Sequence, residues 1–430
     1  MQTDTILASI DKEELAELSV HLGNIPSPTG LEEPMGEAVY TWLEANGFHP
    51  AKMEVAPGRN NVVAVLKGSG EGKSLLFNSH MDTKYGAPGD EWGAGAVLPR
   101  HISAWRDGDR LYGSPVFNDR GPMAAFFLAA KAIRDGGIKL KGDLYLTTVV
   151  GEIGSAPIDE FQGPRYFGKG VGARHLVHHG VVADFALVAE CTSFCVTWTQ
   201  CGCVYFQITT MGKGIYTPYI PRPTPRETGP NAVVKMAKII QALEDWADDY
   251  IERESATIGG GTIRPNATIG AIRGGIPHKI SNSVGRCSLY FDVRLLPGKS
   301  PLSMKREIER VIRETGVEAE VRPYMTRRGF EAEGHEPLVD SIQRAHEKVI
   351  GKPMGTIDPP ITSMWRDINV FNEAGIPAVT YGPFIREIWQ EKPDPNAANR
   401  EFLHADDLLA ASKAYALIAM DICNQDAEPS

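Results

Sequence analysis

This 430-residue chain has little cysteine, and its six thiols are too few to form a disulfide framework at this length. Four of them, Cys191, Cys195, Cys201 and Cys203, fall close together in the sequence. However, the Cys201-Gly202-Cys203 pair is tighter than the usual second pair of a zinc site, and the loop between the pairs is short. Reduced thiols packed in strands are the expectation. An excess of basic charge is also missing: 44 Lys and Arg against 54 Asp and Glu give a net charge of −10. That balance argues against a nucleic-acid backbone or an anionic membrane as partner. No apolar run approaches the length of a membrane span, and Met1 to Glu14 holds no apolar segment of signal-peptide length, so a cytoplasmic protein is expected. Internal repeats and low-complexity segments are absent as well. The remaining picture is a long, mixed chain able to build two domains around a sizeable core.

The most informative feature present is His80-Met81-Asp82, at the end of the apolar run Ser74-Leu75-Leu76-Phe77-Asn78-Ser79. An imidazole makes a good ligand for Zn²⁺ or Mn²⁺ when its second ring nitrogen is held, and a carboxylate two residues away on the same strand face can hold it. His80 would bind and Asp82 would orient. Four further segments have metal-site composition: Asn118-Asp119-Arg120-Gly121-Pro122, Glu152-Ile153-Gly154, Ala189-Glu190-Cys191 and Phe402-Leu403-His404-Ala405-Asp406-Asp407. Most of these groups stand where an apolar run stops, which in an α/β sheet is the edge where ligands gather.

From Asn61 to Glu190 apolar strands alternate with helical stretches, which predicts a mainly parallel sheet with helices on both faces. Helical periodicity marks Leu15 to Leu22, Met35 to Asn46 and Met123 to Ile133. Around Cys201 the pattern changes. Alternating Val204, Phe206 and Ile208 precede a helix over Asn231 to Trp246, strands over Ala267 to Ile272 and Cys287 to Leu295, a helix over Leu302 to Thr315 and a strand over Glu318 to Val321. Two helices on a four-stranded antiparallel sheet predict an inserted ferredoxin-like α+β domain. The expected division is therefore one domain over residues 1–200 and 329–430, which carries the segments of metal-site composition, and an inserted domain over 201–328.

The order His-x-Asp, a Gly-rich turn with an acidic residue and a basic-Gly pair, Glu-Ile-Gly, a lone Glu and a C-terminal His resembles the aminoacylase and carboxypeptidase-G family of metal-dependent exopeptidases and amidohydrolases. The likeness runs from about Glu14 to about Leu409. It takes in Ile25-Pro26-Ser27-Pro28-Thr29-Gly30-Leu31-Glu32 and Gly375-Ile376-Pro377-Ala378-Val379-Thr380-Tyr381-Gly382-Pro383. The resemblance implies one metal site at His80, Asn118 and Glu190, with Glu152 and His404 in a second site or acting on the substrate. It also implies that residues 1–200 and 329–430 form the metal-binding catalytic domain and that 201–328 is a lid and dimerisation domain through which a homodimer forms.

Three departures from the family pattern bear on the chemistry. Asn118 stands where the family has a carboxylate bridging two metals, and a neutral amide lacks the charge to hold two dications together. One divalent ion per chain, Mn²⁺ or Zn²⁺, is expected unless Asp119 swings in to restore the bridge. Gly151 stands where the family carries its general base, so Glu152 is expected to serve as base, with metal ligation as its alternative role. Tyr216 stands where the family has a lid histidine, and a phenol offers one neutral hydrogen-bond donor in its place. Asp82, Glu152 and Tyr216 are then the expected catalytic group.

The expected activity is hydrolysis of a C–N bond in a small carboxylate-bearing substrate, with Arg294, Arg366 or Lys84 as candidate partners of that carboxylate. The three departures together resemble the branch of the family that releases ammonia from an aromatic amine such as 5-nitroanthranilate. Cleavage of N-acyl amino acids or dipeptides is the alternative. A non-catalytic binding or assembly protein is a second one, which the retained His80, Glu152, Glu190 and His404 speak against.

Overall fold

The structure is a computed structural model and describes residues 2–87, 89–90, 97–355, 357, 360–385 and 402–427. The elements that frame the site run in chain order as α1 (Lys12–Gly23), α2 (Glu33–Ala45), β1 (Ala51–Ala56), β2 (Arg59–Leu66), β3 (Leu75–His80), α3 (Gly121–Asp135), β4 (Leu144–Val149), α4 (Val171–His178) and β5 (Phe185–Ala189). The chain continues through β6 (Gly202–Met211), α5 (Ala232–Glu254), β7 (Ala267–Gly274), β8 (Arg286–Leu295), α6 (Pro301–Glu314) and β9 (Glu320–Arg327). It closes with α7 (Glu336–Ile350), α8 (Ile368–Glu373), β10 (Ala378–Tyr381) and α9 (Ala405–Ile422).

Two compact units emerge, one of Met1–Trp198, Glu331–Ile357 and Arg366–Ser430, the other of Thr199–Phe330 and Asp358–Trp365. The stretch ending at Trp365 corrects the sequence-based boundary, which had assigned everything after residue 328 to the catalytic domain. Its hydrogen bonds explain the difference: Ser363 Oγ accepts from the Arg264 amide at 2.9 Å, and the Thr362 hydroxyl donates to the Thr262 carbonyl.

The first unit is built on a six-stranded sheet of order β1-β2-β4-β3-β5-β10. The pairings β4–β3, β3–β5 and β5–β10 are parallel, whereas β1–β2 and β2–β4 are antiparallel. Strand β3 lies inside the sheet and is buried at every position, its apolar Leu75-Leu76-Phe77 followed by the buried polar residues Asn78, Ser79 and His80. On one face Phe77 stacks against Phe126 of α3 and Tyr415 of α9, with ring centroids 5.6 and 5.5 Å away. Helix α3 is apolar around almost its whole circumference and correspondingly buried from Gly121 to Ala130. The other face carries Val63 and Val149 under Leu176 of α4.

The second unit has the strand order β7-β8-β6-β9, antiparallel throughout, with α5 and α6 following β6 and β8. That is the ferredoxin-like arrangement. Its helices begin where short polar side chains can take up free amides: Asn231 accepts from Val233 N at 3.0 Å and Ser300 from Leu302 N at 3.2 Å. Val204, Phe206, Ile208, Leu289, Phe291 and Val293 form the core beneath them. The strand expected over Glu318 to Val321 runs on to Arg327 because β9 pairs with β6 along that length. All six cysteines are free thiols. Among the described residues no helix is long and apolar enough to cross a membrane.

Candidate metal centre

His80 closes β3, and its ring is held from two sides. Nδ1 lies 3.0 Å from the Asp82 carbonyl oxygen and 3.4 Å from Asp82 Oδ1, and Nε2 lies 2.8 Å from Asn118 Oδ1. Asp82 is itself fixed. Its Oδ1 accepts from the Glu152 amide at 3.0 Å, and its Oδ2 accepts from the Ile153 amide at 2.9 Å and from the Thr29 hydroxyl at 2.7 Å. The turn Ile25 to Glu32 and the loop after β4 therefore meet on one carboxylate, which fixes the imidazole orientation. Arg120, fully buried, donates to the carbonyls of His80 and Met81 and to Ser27 Oγ, and so holds the strand end in place.

Asn118 lies just ahead of α3 in a kinked segment. Asn118 (φ −140°, ψ 75°) and Asp119 (φ −142°, ψ 28°) leave helical geometry, and α3 starts only at Gly121. That kink lets Asn118 face His80 while the adjacent Asp119 turns to Ser79, whose hydroxyl donates to Oδ2 at 2.5 Å. Glu190 follows β5 directly, two residues past Val188, the register partner of Asn78 on β3. Glu190 Oε2 pairs with Arg366 Nε at 2.6 Å, both side chains being buried. Arg366, expected to meet a substrate carboxylate, is thus engaged with a carboxylate of the protein.

Five carboxyl groups, Asp82, Asp119, Glu152, Glu190 and Asp367, are buried together with the guanidinium groups of Arg120 and Arg366. The electrostatics record the strain. Burial pushes Glu152 up to about 7, with Glu190 and Asp82 adding to the rise against His80 and Lys169. Burial, then the charge of Glu190, holds Asp119 well above the usual carboxylate range; burial, then Glu152, does the same for Asp367. Burial opposes the charged form of His80, yet the Asp82 hydrogen bond and the charges of Glu152, Asp82 and Asp119 outweigh it and hold the imidazole high. Burial would likewise raise Asp82, but His80, Thr29 and the Glu152 amide bring it down to about 2.

These residues fit a divalent cation. Asp119 Oδ1 and Asp367 Oδ1 are buried with no hydrogen-bond partner among the described residues, so neither carboxyl can ionise cheaply without a cation beside it. Nε2 of His80 and Oδ1 of Asn118 lie 2.8 Å apart, joined by a hydrogen bond when the imidazole carries its proton there. That separation is close to the roughly 3 Å between adjacent donors on one ion with bonds of about 2.0–2.1 Å. An imidazole, an amide oxygen and carboxylates form a mixed N/O donor set suited to Mn²⁺ or Zn²⁺.

His404 caps α9, its Nδ1 accepting from the Asp406 amide at 3.3 Å, and with Asp109 and Asp406 it forms a group whose ligand atoms lie within 4.8 Å of one another. Lys12 Nζ reaches both of those carboxylates, at 3.1 and 3.2 Å, which makes the group a partly exposed ion-pair network. Lys84 is exposed, with Nζ 5.2 Å from the Tyr85 ring centroid. Tyr216 and Arg294 belong to the second unit, Tyr216 exposed and Arg294 paired with Asp292 Oδ2 at 3.0 Å. Sequence reasoning missed Asp367 altogether. Its only signal was a charged pair, Arg366-Asp367, inside the otherwise uncharged stretch Ile361 to Asn372.

The sequence of residues 76–421 matches the model of peptidase family M20/M25/M40. The chain belongs to this family. Membership makes it a metal-dependent hydrolase acting on C–N bonds, and the matched segment contains the whole group around His80. Among curated relatives, an N-formyl-4-amino-5-aminomethyl-2-methylpyrimidine deformylase from Halalkalibacterium halodurans is 25% identical over 98% of this chain and 97% of its own length. An acetylornithine deacetylase from Vibrio cholerae is 30% identical over 60% of each chain. Among solved structures, an M20 family metallo-carboxypeptidase from Sulfolobus solfataricus superimposes with a TM-score of 0.68 at 16% identity, covering 96% of this chain and 99% of the other. These likenesses do not support the expected deamination of an aromatic amine; they agree with amide cleavage, the alternative reading of the sequence.

Proposed function

We propose that the protein is an amidohydrolase that removes a small acyl group from the nitrogen of a compact substrate, using one divalent cation, Mn²⁺ or Zn²⁺, held by His80, Asn118 and Glu190. The observation that carries this reading is the 2.8 Å approach of His80 Nε2 to Asn118 Oδ1 inside a buried, acid-rich group. The deformylase and deacetylase relatives support an acyl group as the part removed. A bound cation supplies Lewis acidity toward the acyl carbonyl and a lowered pKa for water.

The protein's own groups do the rest. Asp82 fixes the imidazole of His80 and is itself kept ionised by the bonds it accepts. Glu152, raised to about 7, can take a proton from water and return it to the departing nitrogen at neutral pH. Arg366 Nε pairs with Oε2 of Glu190 and would hold that side chain in position as a ligand. His404 stands apart from this set in the proposal. Lys84 is assigned to substrate contact, and the second unit to a dimer surface.

The deciding experiment incubates the metal-loaded protein with N-formyl and N-acetyl amines, N-acyl amino acids, dipeptides and 5-nitroanthranilate, measuring carboxylate and ammonia release. Formate or acetate release supports the proposal. Ammonia from 5-nitroanthranilate without acyl cleavage would replace it by aromatic deamination.

A further inference from the structure

Asp367 is fully buried, and only one of its oxygens has a partner among the described residues: Oδ2 accepts from the Asn78 amide at 3.1 Å. Asn78 stands two residues before His80 on β3, so both side chains leave the sheet on the same face. The Asn78 contact therefore anchors Asp367 on the side to which His80 points. From the other direction, the adjacent Arg366 grips Glu190. Asp367 is close enough to Glu152, His80 and Glu190 for the charge of each to act on it. Asp119, the other acid of this group with an undonated oxygen, is tied to Ser79, which leaves β3 on the opposite face. A buried carboxylate with an oxygen that no donor reaches is unfavourable until a proton or a cation compensates it.

We infer that Asp367 supplies the metal centre with the negative charge that Asn118 lacks, its Oδ1 facing the cation held by His80, Asn118 and Glu190. This inference rests on the reading of that group as a metal centre. It makes the site an anionic one despite the amide at position 118, with the missing charge brought in by a segment far along the chain.

The test is a titration of the metal-stripped full chain with Mn²⁺ and with Zn²⁺, alongside the melting temperature of the stripped protein. Asp367→Asn keeps an oxygen for the Asn78 amide and removes only the charge. It should bind both ions about tenfold or more weakly, the usual scale for a residue that tunes a metal site, without lowering the melting temperature of the stripped protein. Adding Asn118→Asp to that variant returns the charge from the other side and should restore most of the affinity. Wild-type affinity in Asp367→Asn would overturn the inference, as would weakened binding that Asn118→Asp fails to raise. A wild-type chain that binds neither ion would instead overturn the metal-centre reading on which it rests.

Discussion

Replacing Gly151 by alanine should destabilise the protein and disable its site together. Gly151 occupies the position where the sequence pattern calls for a second glutamate, and it adopts φ +66°. A Cβ there would stand 2.6 Å from Val171 Cγ1, 2.8 Å from Arg59 Nη2 and 2.9 Å from the Phe167 carbonyl oxygen. None of these can easily yield. Arg59 is buried and clamped by Glu32 through Nε at 2.8 Å, and its Nη1 donates to the carbonyls of Pro164 and Phe167. The left-handed backbone costs a non-glycine residue about 1–2 kcal/mol, and forcing a methyl group into packed surroundings costs about 1–3 kcal/mol. Together these predict a loss of about 2–5 kcal/mol. At roughly 2 °C per kcal/mol for a large domain, that is a fall of about 4–10 °C in melting temperature by calorimetry. Turnover should fall as well, because the next residue's amide holds Asp82, and Asp82 orients His80. Gly151→Glu, which restores the family pattern on paper, should be at least as damaging and add no base. A Gly151→Glu protein as stable as wild type and equally or more active would refute this account of the missing carboxylate.

Glu152→Gln should lower turnover by about 10² or more, the usual scale for losing a general base. It should also leave metal content and melting temperature near wild type; loss of metal in this variant would make Glu152 a ligand. His80→Ala and Glu190→Ala should lose bound metal on elemental analysis, whereas His404→Ala, in the network of Lys12, Asp109 and Asp406, should keep it. Retention by His80→Ala would place the cation elsewhere. Metal affinity should rise with pH across neutrality. In the metal-free protein Glu152, raised to about 7, and His80, also raised, hold protons that ligation or a neighbouring dication must displace. The apparent Kd should therefore be weaker at pH 6 than at pH 8, and a flat profile between them would contradict the protonation states described.

How legible the site was depended on whether its parts were local. The His80–Asp82 pair could be read because strand periodicity puts both on one face at the end of an apolar run. The ferredoxin-like insertion could be read because its alternating strands and long amphipathic helix are patterns within single segments. Asp367 and the grip of Arg366 on Glu190 could not, since the partners lie 289 and 176 residues away in sequence and meet only once the segment before α8 packs on the paired strands β3 and β5. The same holds for the boundary at Trp365, which rests on hydrogen bonds to residues about a hundred positions earlier.

By itself the sequence determined the class of the fold, the two-part organisation of the chain and the donor types available for a cation, because these follow from hydrophobic period and residue chemistry. The tertiary structure alone decided which donors converge, which carboxylates are left without a partner, and that no side chain larger than glycine fits at position 151. Convergence depends on strand register and on backbone dihedrals at two kinks, Asn118 to Asp119 and Gly151, and neither is encoded in the composition of the segments it joins.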